Sequence, residues 1–312
     1  MKIIALLPIK NEAWVLSACL GSLSLIADEI IILDDNSSDD YKDILSKFPK
    51  AIVFKNEVFD GQTVNMSTKR KTLLKIGRER GGTHFIWLDA DEVFSDNFLL
   101  TYHKYLERMV PGQKIMMKWV FLLDHKSYRS DGVFWEIYKD FIVFDDGTLE
   151  FKDKKLSEER TPGGGGANSI IVPPDDGAVL HLQYLNKKRN DYKQAWYRCS
   201  ELVEGKRSAK RINNTYSITI DNKKWQKNNL PEKLSSKFIN NIDLRLSNDN
   251  WYIEEIIKFF DQYGIKFFEP LQIWDIEKLR EEFIKRVGRK PRSKVFSKWL
   301  VYLNKIKNKI IN

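Results

Sequence analysis

Cysteine and histidine are scarce in this sequence, and it has no long apolar run. The two cysteines among 312 residues, Cys19 and Cys199, lie far apart in apolar helical contexts. This argues against a disulfide framework and predicts buried, reduced thiols in a cytoplasmic protein. Of the four histidines, His84, His103 and His125 show no ligand spacing and are expected to be structural. No stretch approaches the roughly 20 apolar residues that cross a bilayer, so a membrane-spanning chain is not expected. The apolar opening from Met1 to Ile9 is short, contains Pro8, runs into Lys10 and Glu12 and lacks a small-residue cleavage pattern, so it does not read as a secretory signal. Acidic side chains stop at Glu282. From Lys285 onward there are ten basic residues and no acidic one, whereas the preceding body, with 42 basic and 43 acidic residues, is close to neutral. The net charge of +9 is therefore a property of the tail.

What is present is enough for a sizeable core: 42% hydrophobic and 12% aromatic residues. The first hundred residues alternate short apolar runs with amphipathic stretches, the pattern of βαβ units around a parallel sheet. Lys2 to Leu7, Glu29 to Leu33, Ala51 to Phe54 and Phe85 to Leu88 read as strands. Ala13 to Leu25, with Asn11 available as its cap, Tyr41 to Phe48 and Val64 to Arg78 read as helices. Further on, a helix is expected near Asn97 to Met109, a strand over Lys114 to Leu123, and β segments near Phe141 to Phe144 and Ala178 to Leu182. Thr161 to Asn168, with Pro162 and Gly163 to Gly166, is a loop. The chain becomes mostly helical after Asn190. A boundary near Gly205 divides it into residues 1–205 and a helical region, residues 206–312.

In open α/β sheets ligands bind beyond the carboxyl ends of the strands. Three polar clusters fall there: Asn11 and Glu12, Asp34 and Asp35, and Asp89, Asp91 and Glu92. The Asp89-Ala90-Asp91 pair is the only Asp-x-Asp in the sequence, and it follows directly on an apolar strand. One or two carboxylates together with substrate phosphates are a usual way to hold Mg²⁺ or Mn²⁺. A carboxylate at Asp35 can accept a hydrogen bond from a nucleobase or a ribose. The bland alternative for Asp34 to Asp39 is a turn with a helix cap.

The runs Pro8-Ile-Lys-Asn-Glu12, Asp34-Asp35-Asn36-Ser37-Ser38-Asp39 and Trp87-Leu-Asp-Ala-Asp-Glu92 resemble, in order and spacing, the successive signatures of family 2 glycosyltransferases. The resemblance implies a GT-A type fold, Rossmann-like, with a mixed and mainly parallel sheet flanked by helices. It also implies a nucleoside-diphosphate sugar donor, a UDP-sugar being favoured, inversion at the anomeric carbon, and Mn²⁺ or Mg²⁺ as cofactor. By the same resemblance, Pro8, Glu12, Asp35, Asp89 and Ala90 lie against the nucleotide sugar, Asp91 on the metal, and Arg70, ahead of Lys71, near the diphosphate. His181 resembles a histidine that some GT-A enzymes add as a metal or phosphate contact; the alternative is a hydrogen-bonded core histidine. An inverting transfer needs a carboxylate to take the acceptor proton. Many relatives carry a His-Glu pair where this chain reads Leu156-Ser-Glu-Glu159, so Glu158 is placed ahead of Glu159 as catalytic base, with Asp131 and Asp140 as alternatives.

Val295 to Ile310 places apolar residues at helical spacing among lysines. Such a helix suits an anionic membrane surface, and equally suits docking on the body or on a second subunit of a homodimer. The membrane reading makes the protein peripheral on the inner face and agrees with a glycan or lipid-linked acceptor in cell-surface polysaccharide or lipopolysaccharide-type synthesis. The near-neutral body argues against nucleic acid. Two other functions compete. A sugar nucleotidyltransferase would carry a glycine-rich basic loop where Pro8 to Glu12 stand. A catalytically silent nucleotide-sugar-binding scaffold would keep the fold and lose turnover.

Overall fold

The computed structural model describes residues 1–56, 66–151, 159–164, 168–220 and 225–292. The strands are β1 (Ile3–Ile9), β2 (Glu29–Asp34), β3 (Ala51–Lys55), β4 (His84–Ile86), β5 (Glu92–Phe94), β6 (Lys114–Asp124), β7 (Ser127–Arg129), β8 (Tyr138–Phe144), β9 (Ser169–Ile171), β10 (Ala178–His181) and β11 (Lys227–Asn229). The helices are α1 (Ala13–Ser24), α2 (Tyr41–Leu45), α3 (Met66–Glu79), α4 (Asp96–Thr101), α5 (His103–Leu106), α6 (Lys187–Val203), α7 (Ala209–Ile220), α8 (Asn250–Tyr263) and α9 (Glu277–Val287). Packing divides the chain into two compact units, residues 1–187 with 225–248, and residues 188–224 with 249–312.

The first unit is built on a mixed sheet in the order β11-β7-β6-β8-β4-β1-β2-β3. Strands β4, β1, β2 and β3 are mutually parallel, and β8 joins β4 and β6 antiparallel. The long β6 takes β9 and then β10 alongside it, both parallel, and β10 carries β5 antiparallel on its other side. This is the α/β class that the sequence predicts. Strand β1, Ile-Ile-Ala-Leu-Leu-Pro-Ile, is apolar on both faces because helices cover both. Ile3, Ala5 and Leu7 pack with Leu16, Leu20 and Leu23 of α1. Ile4 and Leu6 pack with Leu73 and Leu74 of α3.

Register places the functional edge. Ile9 pairs with Asp34, and Asp34 with Lys55, so β1, β2 and β3 end at one level. On the other side of β1, Ala5 pairs with Ile86, and the chain leaves β4 through Trp87 and Leu88 to reach Asp89 at the same rim. Strand β4 is shorter than expected, because Trp87 gives its N–H to Phe141 and then departs from β1. The cap of α1 also differs from expectation. Glu12 occupies the N-cap position, and Asp39 accepts the Ala13 N–H at 2.7 Å. Asn11, buried with a φ of 55°, spends its side chain on the Ser38 N–H instead.

In the second unit, α6 and α8 share an aromatic seam in which Trp196 lies 5.8 Å from Trp251 and 6.0 Å from Tyr252. Helix α9 stops at Gly288, whose left-handed φ of 77° suits glycine. Both cysteines are free and buried. Among the described residues, no helix is long and apolar enough to cross a membrane. The amphipathic stretch expected at 295–310 lies outside the described residues, as do Glu158 and the last two glycines of the glycine run.

Candidate active site at the carboxyl edge of the sheet

The acidic clusters that follow β2 and β4 meet along one helix. Lys69 of α3 ion-pairs with Asp35, and the next residue, Arg70, places Nη2 at 3.7 Å from Asp89. Helix α3 can do this because its apolar face, Leu73 and Leu74, is fixed on β1 and β2. Its amino-terminal turns then project past the strand ends.

In the first cluster Asp34 and Asp35 face different surroundings. Asp34 is fully buried and accepts from the Ser37 N–H, the Tyr41 hydroxyl at 2.8 Å and Lys55. Burial pushes its pKa up, but these donors outweigh that and hold it below the ordinary range. Asp34 is thus a turn-organising group, which is the bland reading of this segment. Asp35 accepts from Asn56 at 2.8 Å and from Lys69, with Lys10 at 3.8 Å. Burial opposes its ionisation as well, and Lys69 again brings the net shift downward. Asp35 is consequently an ionised acceptor at the rim. Pro8 is half-buried in β1 beside Leu33. The Glu12 carboxylate accepts the Trp14 indole N–H at 3.0 Å.

The second cluster is a tight turn from Asp89 to Glu92. Glu92 N–H donates to the Asp89 carbonyl at 3.1 Å, and Asp89 N–H donates to the Glu92 carboxylate at 2.8 Å. Ala90 is buried at its centre. The Asp89 side chain is 36% exposed and that of Asp91 only 8%. Asp91 faces His181 of β10, with Oδ2 and Nε2 3.2 Å apart. The antiparallel pairing of β10 with β5 sets this contact, because His181 stands opposite Glu92. Trp119 stacks on the imidazole with ring centres 4.7 Å apart. His181 Nδ1 is buried with no hydrogen-bond partner among the described residues. Arg70 donates to the backbone carbonyl of Glu159, so the backbone of this candidate base lies next to the diphosphate candidate.

Other expected groups are committed elsewhere. Arg129 binds Asp131 through two contacts of 2.8 Å and holds its carboxyl below the usual range, which leaves a poor proton acceptor. Asp140 accepts from Ser169 at 2.8 Å. His84 stacks on Phe144, and burial lowers its pKa to about 4, in keeping with a structural role. Sequence reasoning missed Lys69 and Arg160. Arg160 places both guanidinium nitrogens on Glu92, at 2.5 and 2.8 Å, and one of them 3.2 Å from Asp89. Glu92 was already in the expected cluster, and an acid three residues after Asp89 can close such a turn. No spacing signal marks Arg160.

Among the described residues no group of three or more His, Cys, Asp or Glu side chains gathers as a metal site. Asp91 and His181 supply two donors, an oxygen and an imidazole nitrogen. That set fits a divalent cation that takes its remaining ligands from phosphates and water, and the nitrogen favours Mn²⁺ over Mg²⁺.

A mixed sheet with a parallel half, whose carboxyl edge gathers acidic turns beneath a basic helix, defines an α/β protein of GT-A type. Residues 5–113 match the family described as glycosyl transferase family 2. No curated protein matches the sequence. Among solved structures, S. aureus TarS 1-349 is 14% identical, with 93% of this chain and 92% of that one covered and a TM-score of 0.42. Glucosyl-3-phosphoglycerate synthase from Mycobacterium tuberculosis, in complex with Mn²⁺ and uridine-diphosphate-glucose, is 21% identical, with 39% and 44% covered and a TM-score of 0.29. The strand order, and not these superpositions, carries the fold assignment.

Proposed function

We propose that this protein is an inverting, metal-dependent glycosyltransferase that moves a sugar from a nucleoside-diphosphate donor, with UDP favoured, to an acceptor hydroxyl. The observation that supports it most is the meeting of Asp35, Asp89 and Asp91 at one rim, joined through the adjacent Lys69 and Arg70. In this reading Asp35 accepts from the base, Pro8 and Glu12 line the nucleotide pocket, and Asp89 and Ala90 lie along the ribose and sugar. Asp91 and His181 hold Mn²⁺ or Mg²⁺, which when bound neutralises the diphosphate. Arg70 adds charge on the same leaving group. Glu158, or after it Glu159, takes the acceptor proton while the acceptor oxygen attacks the anomeric carbon from the face opposite the diphosphate. Because the acceptor oxygen is itself the nucleophile, the protein supplies none and instead holds the departing diphosphate while charge builds on it.

The acceptor we favour is a cell-surface glycan or a lipid-linked sugar, because the basic 285–312 segment suits an anionic membrane. In this reading the first unit carries the transfer and the basic 285–312 segment the surface contact. The test is calorimetry with UDP, GDP, CDP and ADP, with and without Mn²⁺, followed by a donor-hydrolysis assay. Metal-dependent binding of one diphosphate with slow hydrolysis of its sugar derivative is expected. Binding without turnover under any acceptor would leave a silent scaffold, and pyrophosphate release from a nucleoside triphosphate would mark a nucleotidyltransferase.

A further inference from the structure

Arg160 lies beneath the candidate donor site and takes no direct part in the reading above. It comes from the segment after β8, yet its guanidinium serves the turn after β4. Nη1 donates to Glu92 at 2.5 Å and reaches the Trp87 carbonyl at 3.4 Å, while Nη2 donates to Glu92 at 2.8 Å and to Asp89 at 3.2 Å. Its flat face lies 4.8 Å from the Phe141 ring and 5.3 Å from that of Trp119, the indole that stacks on His181. One planar cation thus touches the backbone entering the turn, both carboxylates at its ends and the aromatic ring behind the histidine. Glu92 is fully buried and also accepts the Asp89 N–H, so its placement sets the shape of the turn. A buried carboxylate without its cation would be an uncompensated charge and would draw in water or turn away.

Resting on the donor reading proposed above, we infer that Arg160 is a positioning residue. It ties up Asp89 and Glu92 so that Asp91, at the centre of the turn, is presented with His181 to a cation-bound diphosphate. Arg160 itself touches neither donor nor acceptor. Lysine cannot replace it fully, because the planar fork spans two carboxylates where an ammonium is a point charge.

The experiment measures Mn²⁺ uptake from the loss of the free-ion electron paramagnetic resonance signal, in the presence of saturating UDP. It compares the wild type, Arg160→Lys, Arg160→Met and the double variant Arg160→Met/Glu92→Gln, with a thermal melt for each. The double variant removes both buried charges, so it keeps the fold when the single Met variant does not. The expected result is a Mn²⁺ dissociation constant raised about 10–100-fold in both Met variants, the scale on which partners of metal ligands act, with Lys in between and the double variant melting near wild type. If the double variant regains both stability and wild-type Mn²⁺ affinity, Arg160 is only half of a structural ion pair and the inference is overturned. If the wild type itself takes up no Mn²⁺ with UDP, the donor reading falls, and this inference with it.

Discussion

His181 Nε2 stands 3.2 Å from Asp91 Oδ2, and both side chains are more than nine-tenths buried. A pair so withdrawn from solvent gains little as a surface ion bridge, and a divalent cation held between the two side chains would offset the negative charge of a rim that also holds Asp89 and Glu92. The prediction is that Asp91→Asn keeps the fold, because asparagine fills the same volume and can still accept from His181. Mn²⁺-dependent turnover should fall by about 10²–10³, the scale of losing one preorganised electrostatic contact. Circular dichroism with a donor-hydrolysis assay checks it. Retained turnover would remove Asp91 from the site.

Asp35 and Lys69 give a second prediction. Lys69 holds Asp35 ionised and aimed at the rim. Asp35→Ala should weaken binding of the cognate nucleoside diphosphate by about 10–100-fold, the loss of one charge-assisted hydrogen bond of roughly 1.5–3 kcal/mol. Affinity for inorganic pyrophosphate should stay the same. Calorimetry with both ligands separates the outcomes, and an equal loss for both would mean that Asp35 supports the whole rim and does not recognise the base.

The catalytic base is the third. Arg70 binds the carbonyl of Glu159, which places the backbone of that residue by the diphosphate candidate. Glu158→Gln should lower kcat by about 10²–10⁴, the usual worth of a general base, with donor affinity unchanged. Glu159→Gln should be milder. Asp131→Asn should leave kcat alone and lower the melting temperature, since Arg129 would lose a bidentate partner. If the losses for Glu158 and Glu159 are reversed, the base is the second of the two.

The sequence made the parallel half of the sheet legible because β1, β2 and β4 are short, largely apolar runs followed within three residues by polar or acidic clusters. Periodicity and position together sufficed there. The mixed half was harder to read: β6 takes β8 antiparallel and β9 and β10 parallel, through pairings that no local pattern encodes. His181 shows the difference. Its strand was visible, but its contact with Asp91 depends on the register of β10 against β5. Arg160 and Lys69 escaped notice because single basic residues among 52 carry no spacing signal. The return of 225–248 to the first unit rests on pairings such as β11 with β7, whose Lys-Asn-Asn sequence has no strand character.

The basic tail yields a fourth prediction, drawn from charge alone. Residues 293–312 hold five lysines and no acid, half of the ten basic residues that follow Glu282. With each lysine near an anionic surface worth about 1 kcal/mol, truncation at residue 292 should abolish most co-sedimentation with vesicles rich in phosphatidylglycerol. Neutral vesicles should show little binding in either case. Binding that survives truncation would move the membrane contact elsewhere, and a change of oligomeric state on truncation would assign the tail to a second subunit.

The last prediction concerns pH and rests on Asp34. Its folded pKa is depressed, because Lys55, Ser37 and Tyr41 together outweigh the cost of burial. A depressed carboxyl favours the folded state at every pH above its unfolded value of about 3.9, and that contribution fades as the pH falls through the lower folded value. Asp34→Asn keeps an oxygen for the Tyr41 hydroxyl and loses the charge, so at pH 7 the variant should be less stable by about 1–3 kcal/mol. The gap should shrink toward zero in strong acid, where the wild-type carboxyl is protonated as well. Urea titrations at pH 7 and pH 3 measure it. A gap that stays constant with pH would mean that Asp34 stabilises the turn by shape alone, and the acid sensitivity of the rim would then have to come from Asp35, whose pKa is depressed by Lys69 in the same direction.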